Sequence, residues 1–295
     1  MKKTNPRVIR QKPPRYLDAY SQAVILLGGA IQQIGWAFFG FSMIFFWAFV
    51  GNSELFYLLE SRSDWAEIQG KVIDITPTNM SEGEVTIQRN TFTFIHDYRE
   101  YEGESFTLGR EYREGDAVWL RYDLNDPANS MIKDSRRAPF GYAVALVLLF
   151  PLVGSIMILV QFRRNQGYLK LLKLGVFSLG KQVNKERTGG SVTVNNVTYP
   201  IYKYTFEFTV AGTPYQAVCQ THQTELVEDE EREIVLYDPL HPKTSMVYDA
   251  VPNAPKIDVD GYLKPVSEAK IVVFALPLLT AIINLIGWLL IMGTS

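Results

Sequence analysis

Residues able to do acid–base or nucleophilic chemistry are few. The 295-residue chain has three histidines, His96, His222 and His241, and one cysteine, Cys219. Cys219-Gln220-Thr221-His222 is half of a zinc-ligand pattern, but a structural zinc centre takes four ligands and the sequence holds no second pair. As nucleophile and base the two would have to face each other, and neighbours on a strand point to different faces or sit too far apart. A lone cysteine makes no intrachain disulfide. There is no Gly-x-x-x-x-Gly-Lys-Ser/Thr, His-Glu-x-x-His or Gly-x-Ser-x-Gly. The expectation is no catalytic constellation, no cofactor and no metal.

Carboxylates are the remaining candidates. Glu225, Glu228, Asp229, Glu230, Glu231 and Glu233 crowd one short stretch, opposed only by Arg232. Such a run is a solvated loop or, on a sharper reading, an acidic docking patch for a basic partner. It lacks the alternation and central glycine of a calcium loop. Asp123 and Asp238 are a second pair an enzyme might gather, but they occupy matched places in a repeat, which points to turns.

The elements that must position these groups come from hydropathy. A mean hydropathy near zero and net charge of −2 would suit a soluble enzyme. The averages conceal segregation: residues 23–50, 139–162 and 271–292 contain no Asp, Glu, Lys or Arg. Each is long enough to cross a bilayer as a helix, which takes roughly 20 apolar residues. A soluble globular chain and a disordered one are excluded, as is a protein lying almost wholly in the membrane. Three transmembrane helices are expected. The first reads as a retained signal anchor, either one long tilted helix or a span preceded by an interfacial helix with a break near Gln32–Gln33. Pro151 and Pro277 are expected to kink the other two. The strongest polar groups within the spans, Gln32, Gln33 and Asn284, are expected to bond between helices, with oligomer contact and a polar path as alternatives.

Lys2, Lys3, Arg7, Arg10, Lys12 and Arg15 precede the first span, and Glu54, Glu60, Arg62 and Asp64 follow it. By the positive-inside rule residues 1–22 form a basic cytoplasmic tail. Three crossings then put residues 51–138 outside and 163–270 inside. Arg136–Arg137 and Arg163–Arg164 nearly balance across the second span, and duplicated domains more often share a compartment, so a same-side arrangement stays open.

The two soluble regions repeat one another. Tyr122-Asp123 to Met131 and Tyr237-Asp238 to Met246 share Tyr, Asp, Pro, Ser and Met at equal offsets. Gly70-Lys71-Val72 echoes Gly180-Lys181-Gln182-Val183, and Gly103 pairs with Gly212 as a hairpin turn followed by an aromatic. Thr91–Ile95 and Tyr204–Val210 alternate as strands, as do Val118–Tyr122 and Ile234–Tyr237. Ala30–Trp36 also resembles Ala281–Trp288, a weaker likeness between apolar helices.

Trp65, Gly70-Lys71-Val72, Phe92–Phe94, Gly103 and Gly115 through Ser130 resemble the bacterial domain of unknown function numbered thirty-five ninety-two. The second copy carries Gly180, Tyr204–Phe208, Gly212 and Tyr237 through Ser245, without the leading Trp. The resemblance implies small β-domains flanked by membrane helices and implies no activity. The expected fold is membrane α plus β: three transmembrane helices alternating with two homologous antiparallel β-sandwich or barrel domains. The expected function is non-enzymatic: an inner-membrane protein whose β-domains bind proteins or envelope components as a scaffold or accessory. Its expected partners are the lipid bilayer, further proteins and a second copy, with no nucleic acid. The alternative is an oligomeric transporter, a channel or a subunit of one.

Overall fold

A computed structural model describes residues 9–55, 57, 64–194, 196–229, 231–266 and 272–292; Lys2, Lys3, Arg7, Glu60, Arg62 and Glu230 lie outside them. The helices are α1 (Ala19–Leu27), α2 (Ala30–Phe45), α3 (Leu149–Leu174) and α4 (Val272–Met292). The stretches Ala30–Val50, Tyr142–Leu174 and Val272–Leu290 are long and apolar enough to cross a membrane. Two five-stranded antiparallel sheets accompany them. The chain divides into two compact units, Met1–Ala37 with Gly154–Leu278, and Phe38–Val153 with Leu279–Ser295, so that α2, α3 and α4 each contribute to both.

In the second of these units the strands are β1 (Trp65–Glu82), β2 (Val85–His96), β3 (Arg99–Leu108), β4 (Ala117–Asp123) and β5 (Ser130–Ile132), in the order β3-β2-β1-β4-β5. The inward side chains Val72, Phe92, Phe94, Val118, Leu120, Tyr122 and Ile132 form one core. The sheet rolls until its edges meet: Ser105 Oγ of β3 accepts the Ile132 amide of β5 at 2.8 Å. On the outer face Ile87 and Phe106 pack on Phe140, with Phe49 and Val144 beside them. α2 runs into a π-helical turn, Phe46–Val50, and α3 is preceded by a 3-10 helix, Tyr142–Leu148.

The other unit holds β6 (Val176–Val194), β7 (Val197–Val210), β8 (Thr213–Thr221), β9 (Glu233–Tyr237) and β10 (Ser245–Val247), in the order β10-β9-β6-β7-β8. Strand for strand this is the topology of the first sheet. Both sheets carry bulges after Val72 and Gln182, and again after Pro77 and Arg187. At the second bulge Thr78 Oγ1 donates to the Ile87 carbonyl at 2.7 Å, and Thr188 Oγ1 donates to Ile201 at 2.8 Å. The repeat is therefore one of register and hydrogen bonding as well as of motif.

Several expectations are corrected. Gly103 is not a turn. It lies inside β3 opposite Phe92, where a Cβ would come within 2.6 Å of the Phe92 ring. The hairpin turn is Asp97–Tyr98, both at positive φ, matched by Ala211–Gly212 in the second sheet. The counterpart of Gly103 is buried Ala217, opposite Phe206. A small residue is demanded there by a facing phenylalanine, so the similar Gly70–Gly103 and Gly180–Gly212 spacings coincide by chance.

The first apolar block breaks at Gly28–Gly29, four residues before Gln32–Gln33. Gly29 adopts φ +96°, a left-handed conformation open to glycine, while the glutamines continue α2. Residues 9–22 are not a free tail. Ile9, Leu17 and Ile25 join Leu171, Leu172, Ile234, Leu236 and Met246 in a core covering the outer face of β9 and β10. Arg15 is buried, with Nη1 donating to the carbonyls of Leu172 at 3.0 Å and Gly175 at 2.8 Å. It thus caps the C-terminus of α3, where orphan carbonyls and the helix dipole favour a cation. α3 itself continues to Leu174, so the region from residue 163 opens with helix before any strand. Pro151 lies just after the 3-10 helix Tyr142–Leu148 gives way to α3. Pro277 lies inside α4.

Candidate functional site

The densest polar arrangement near the apolar helices surrounds the two helix breaks. Proline at 277 has no N–H for the carbonyl four residues earlier, Val273. Gln33 supplies the donor: its Nε2 donates to Val273 O at 3.2 Å and to Leu27 O at 2.8 Å. One carboxamide closes both the proline gap in α4 and the end of α1. Asn165 Nδ2 donates to Leu26 O and Gly28 O, each at 3.0 Å, and is oriented by Gln161 Nε2 at 2.9 Å from its Oδ1. With its carboxamide turned so that Nε2 faces α3, Gln32 donates to Ile158 O at 3.1 Å and accepts from Trp36 Nε1 at 3.3 Å. Close packing of α2 on α3 is set by Gly35, whose absent Cβ would lie 3.1 Å from Ile158.

In the other unit Asn284 accepts from Trp47 Nε1 at 3.3 Å and donates to Thr280 O at 2.8 Å. Gly287 makes room for that indole; a Cβ there would fall 2.2 Å from Trp47 Cγ. Gln32, Gln33 and Asn284 thus each bond to a neighbouring helix, and they form two groups, one per unit. Gln161 and Asn165 were missed by sequence reading. Their signal was a buried pair at i and i+4 on one helix face, adjoining a charge-free run.

The acidic run does not form a single surface. Glu225 and Glu231 are exposed, whereas Glu233 opens β9 and is buried. Glu228 is held by Lys185 Nζ at 2.6 Å and by the Tyr204 hydroxyl at 2.9 Å, with Asp229 half-buried beside it. Both faces of β9 are covered, so Glu233 is buried together with Ile234, Val235 and Leu236, which charge counting alone does not reveal. Burial pushes the Tyr204 hydroxyl up to about 12, reinforced by its bond to Glu228. The Lys185 ammonium is raised by its bond to the same carboxylate.

Cys219 lies on β8, buried, and desolvation raises its thiol to about 12, with Glu233 adding to the effect. A thiol in that range carries almost no thiolate at neutral pH. The His96 ring lies tilted against Tyr122, centroids 4.8 Å apart, and its Nε2 is 3.4 Å from Asp97 Oδ2. His241 sits in the loop after β9, its amide donating to Asp238 O. Among the described residues no three His, Cys, Asp or Glu side chains gather as metal ligands.

The matched acids hold identical loops. Asp123 Oδ1 accepts the Asn125 amide at 2.9 Å, and Asp238 Oδ1 accepts Leu240 at 3.0 Å. Each is an Asx turn, followed by the same ladder of main-chain bonds, Asn129 to Asp126 and Thr244 to His241. Backbone donation keeps the Asp238 carboxyl below its ordinary value. Two shallow hollows adjoin the sheets. One, of about 220 Å³, lies between the end of α3 and the Asp238 loop; the other is on the outer face of the first sheet, lined by Gln69, Lys71, Thr93, Ile95 and Glu100 among others. No family model, no curated protein and no solved structure matches the chain.

Proposed function

We infer that the chain is an integral protein of the bacterial plasma membrane, with a cytoplasmic N-terminus, whose paired β-domains are non-enzymatic interaction modules in a scaffold or accessory role. Both sheets are proposed as copies of the domain numbered thirty-five ninety-two, on the turn and strand residues quoted above. The observation that carries the role is the outer face of the first sheet. Trp119 and Ile95 are 52% and 67% exposed there, on either side of Gln69, beside the hollow lined by Lys71 and Glu100. A partly exposed tryptophan within a polar rim is the composition of a recognition surface. Meanwhile the groups with reactive potential, Cys219 and the matched acids, serve packing and turns. A membrane pull-down with the intact chain should recover a reproducible partner that Trp119→Ala with Ile95→Ser no longer retains. Recovery of none by the unaltered chain overturns the reading.

The polar groups at the helix breaks favour a second reading, a subunit of an oligomeric transporter, since irregular helices with internal polar groups also line transport paths. Replacing Gln32, Gln33 and Asn284 together by Leu should then abolish flux or assembly in vesicles; unchanged behaviour excludes it.

A further inference from the structure

The second copy lacks the tryptophan that opens the first. The bulges after Val72 and Gln182 align β1 with β6, and in that register Gly175 stands where the first copy has Trp65. Trp65 pairs with Asp123. Gly175 immediately precedes Val176, which pairs with Tyr237, the neighbour of Asp238. In the first copy the half-buried Trp65 indole lies beside Arg137, whose guanidinium is 5.3 Å from the ring centre and donates to Asn129 Oδ1 of the Asp123 loop at 3.0 Å. The same corner is drawn together by the Leu124 amide, which donates to Asp64 O at 3.0 Å. Neither device is open to the second copy. The residue matching Leu124 is Pro239, which has no N–H to give, and glycine replaces the indole. Between the end of α3 and the Asp238 loop lies instead the hollow of about 220 Å³, lined by Lys170, Leu174, Gly175, Asp238, Pro239 and Leu240 among others.

We propose that this hollow takes the indole side chain of a tryptophan presented by a partner protein. The repeat supplies the first argument, since the matching place in the first copy holds an indole of the chain's own. The walls supply the second. Leu174 and Leu240 are 50% and 83% exposed, and an aromatic ring laid between them removes their apolar surface from water. The polar groups are those an indole uses. Lys170 Nζ stands at the rim, 3.6 Å from Asp238 Oδ2, a cation for the ring face as Arg137 is for Trp65 and Tyr57. Asp238 Oδ1 receives the Leu240 amide, and the carboxylate keeps further lone pairs for an indole N–H. Position excludes lipid as the occupant. α3 extends 12 residues past Phe162, which sets the hollow roughly 18 Å beyond the charge-free run at helical spacing. A second copy is excluded by its own tryptophans: Trp36, Trp47 and Trp288 lie in the apolar runs, and Trp65 and Trp119 lie in the first β-domain, across the membrane on the three-span reading.

The inference rests on the interaction-module reading, and its test separates the two. The full chain in detergent is titrated into N-acetyl-fluorotryptophanamide, and the fluorine resonance is followed by NMR. The line should broaden saturably, several-fold more than that of N-acetyl-fluorophenylalaninamide at equal concentration. Leu240→Asp should abolish the difference and Leu240→Met should keep it, both with an unchanged melting temperature because the side chain stands in water. Lys170→Ala should weaken the broadening several-fold. Equal broadening of the two probes, or none, overturns the proposal. A second arm identifies the source. With p-benzoylphenylalanine in place of Leu240, irradiation in the cell's own membranes should give an adduct that maps beside a tryptophan of another protein, and excess N-acetyltryptophanamide should suppress it. Adducts to lipid, to a second copy or to a site without a tryptophan overturn the proposal, as does the lack of any adduct. In each of these cases a partner still retained through Trp119 leaves the wider reading standing. Recovery of no partner at all by the unaltered chain removes that reading and this inference with it.

Discussion

Gln33 concentrates the energetics of the helix region in one amide. Each carbonyl it serves has lost its usual donor, one to Pro277 and one to the Gly28–Gly29 break. Gln33→Leu leaves both without this donor, and the expected loss is about 1–3 kcal/mol, less than two full desolvation penalties because membrane hydrogen bonds are worth modest amounts. Thermal unfolding in detergent measures it, and Ile34→Leu on the exposed side of the same helix should change little. Asp238 gives a prediction with a sign. Its folded carboxyl is held below the ordinary value of 3.8 by the Leu240 amide. A depressed carboxylate contributes stability that is present above that value and lost as pH falls through the folded one. The melting temperature should therefore drop below about pH 4. Asp238→Asn, which keeps the turn acceptor, should flatten the drop. Tyr204 behaves oppositely in range: its hydroxyl is raised from 10.0 to about 12, so the stability it lends is whole below 10 and is lost as pH rises toward 12. Tyrosinate absorbance, compared with Tyr204→Phe, follows that loss.

Among the elements, the strands were legible and their turns less so. Alternation in Thr91–Ile95 and Tyr204–Val210 marked β2 and β7 because inward Phe92, Phe94, Phe206 and Phe208 recur every second residue. The turn between β2 and β3 was misplaced because Asp97–Tyr98 lacks the glycine that a positive φ favours, whereas Gly103 advertises a turn and instead clears space for Phe92. Gly103→Leu should destabilise the first sheet by about 1–3 kcal/mol through overpacking. Gly103→Ala should cost less, as Ala217 already occupies the matching place. Hydrogen exchange of the β2 and β3 amides locates the effect. The acidic run shows the same limit: its composition was plain, but burial of Glu233 depends on both faces of β9 being covered, and capture of Glu228 by Lys185 on a partner 43 residues away.

For the whole molecule, the placement of the N-terminal segment bears on topology. Ile9, Leu17 and Ile25 share a core with Leu171, Ile234 and Met246, so on the proposed three-span reading the N-terminal segment and the second β-domain are expected on one side of the membrane. Arg136 also leaves the charge count at the second span, since it pairs with Glu82 at 2.6 Å, while Arg163 and Arg164 stay exposed at the other end. Reporters fused after Ser135 and after Asp260 should accordingly report opposite compartments, with Asp260 cytoplasmic; matching signals overturn the three-span count. The sequence by itself determined the apolar runs, the repeat and the strand content, because hydrophobicity, periodicity and matched turn residues are local properties of the chain. Only the tertiary structure decided that Arg15 of the basic segment is a structural cap for α3 and that Gln33 serves two broken helices. Each of these depends on groups far apart in sequence finding unpaired carbonyls or apolar faces, which no local pattern records.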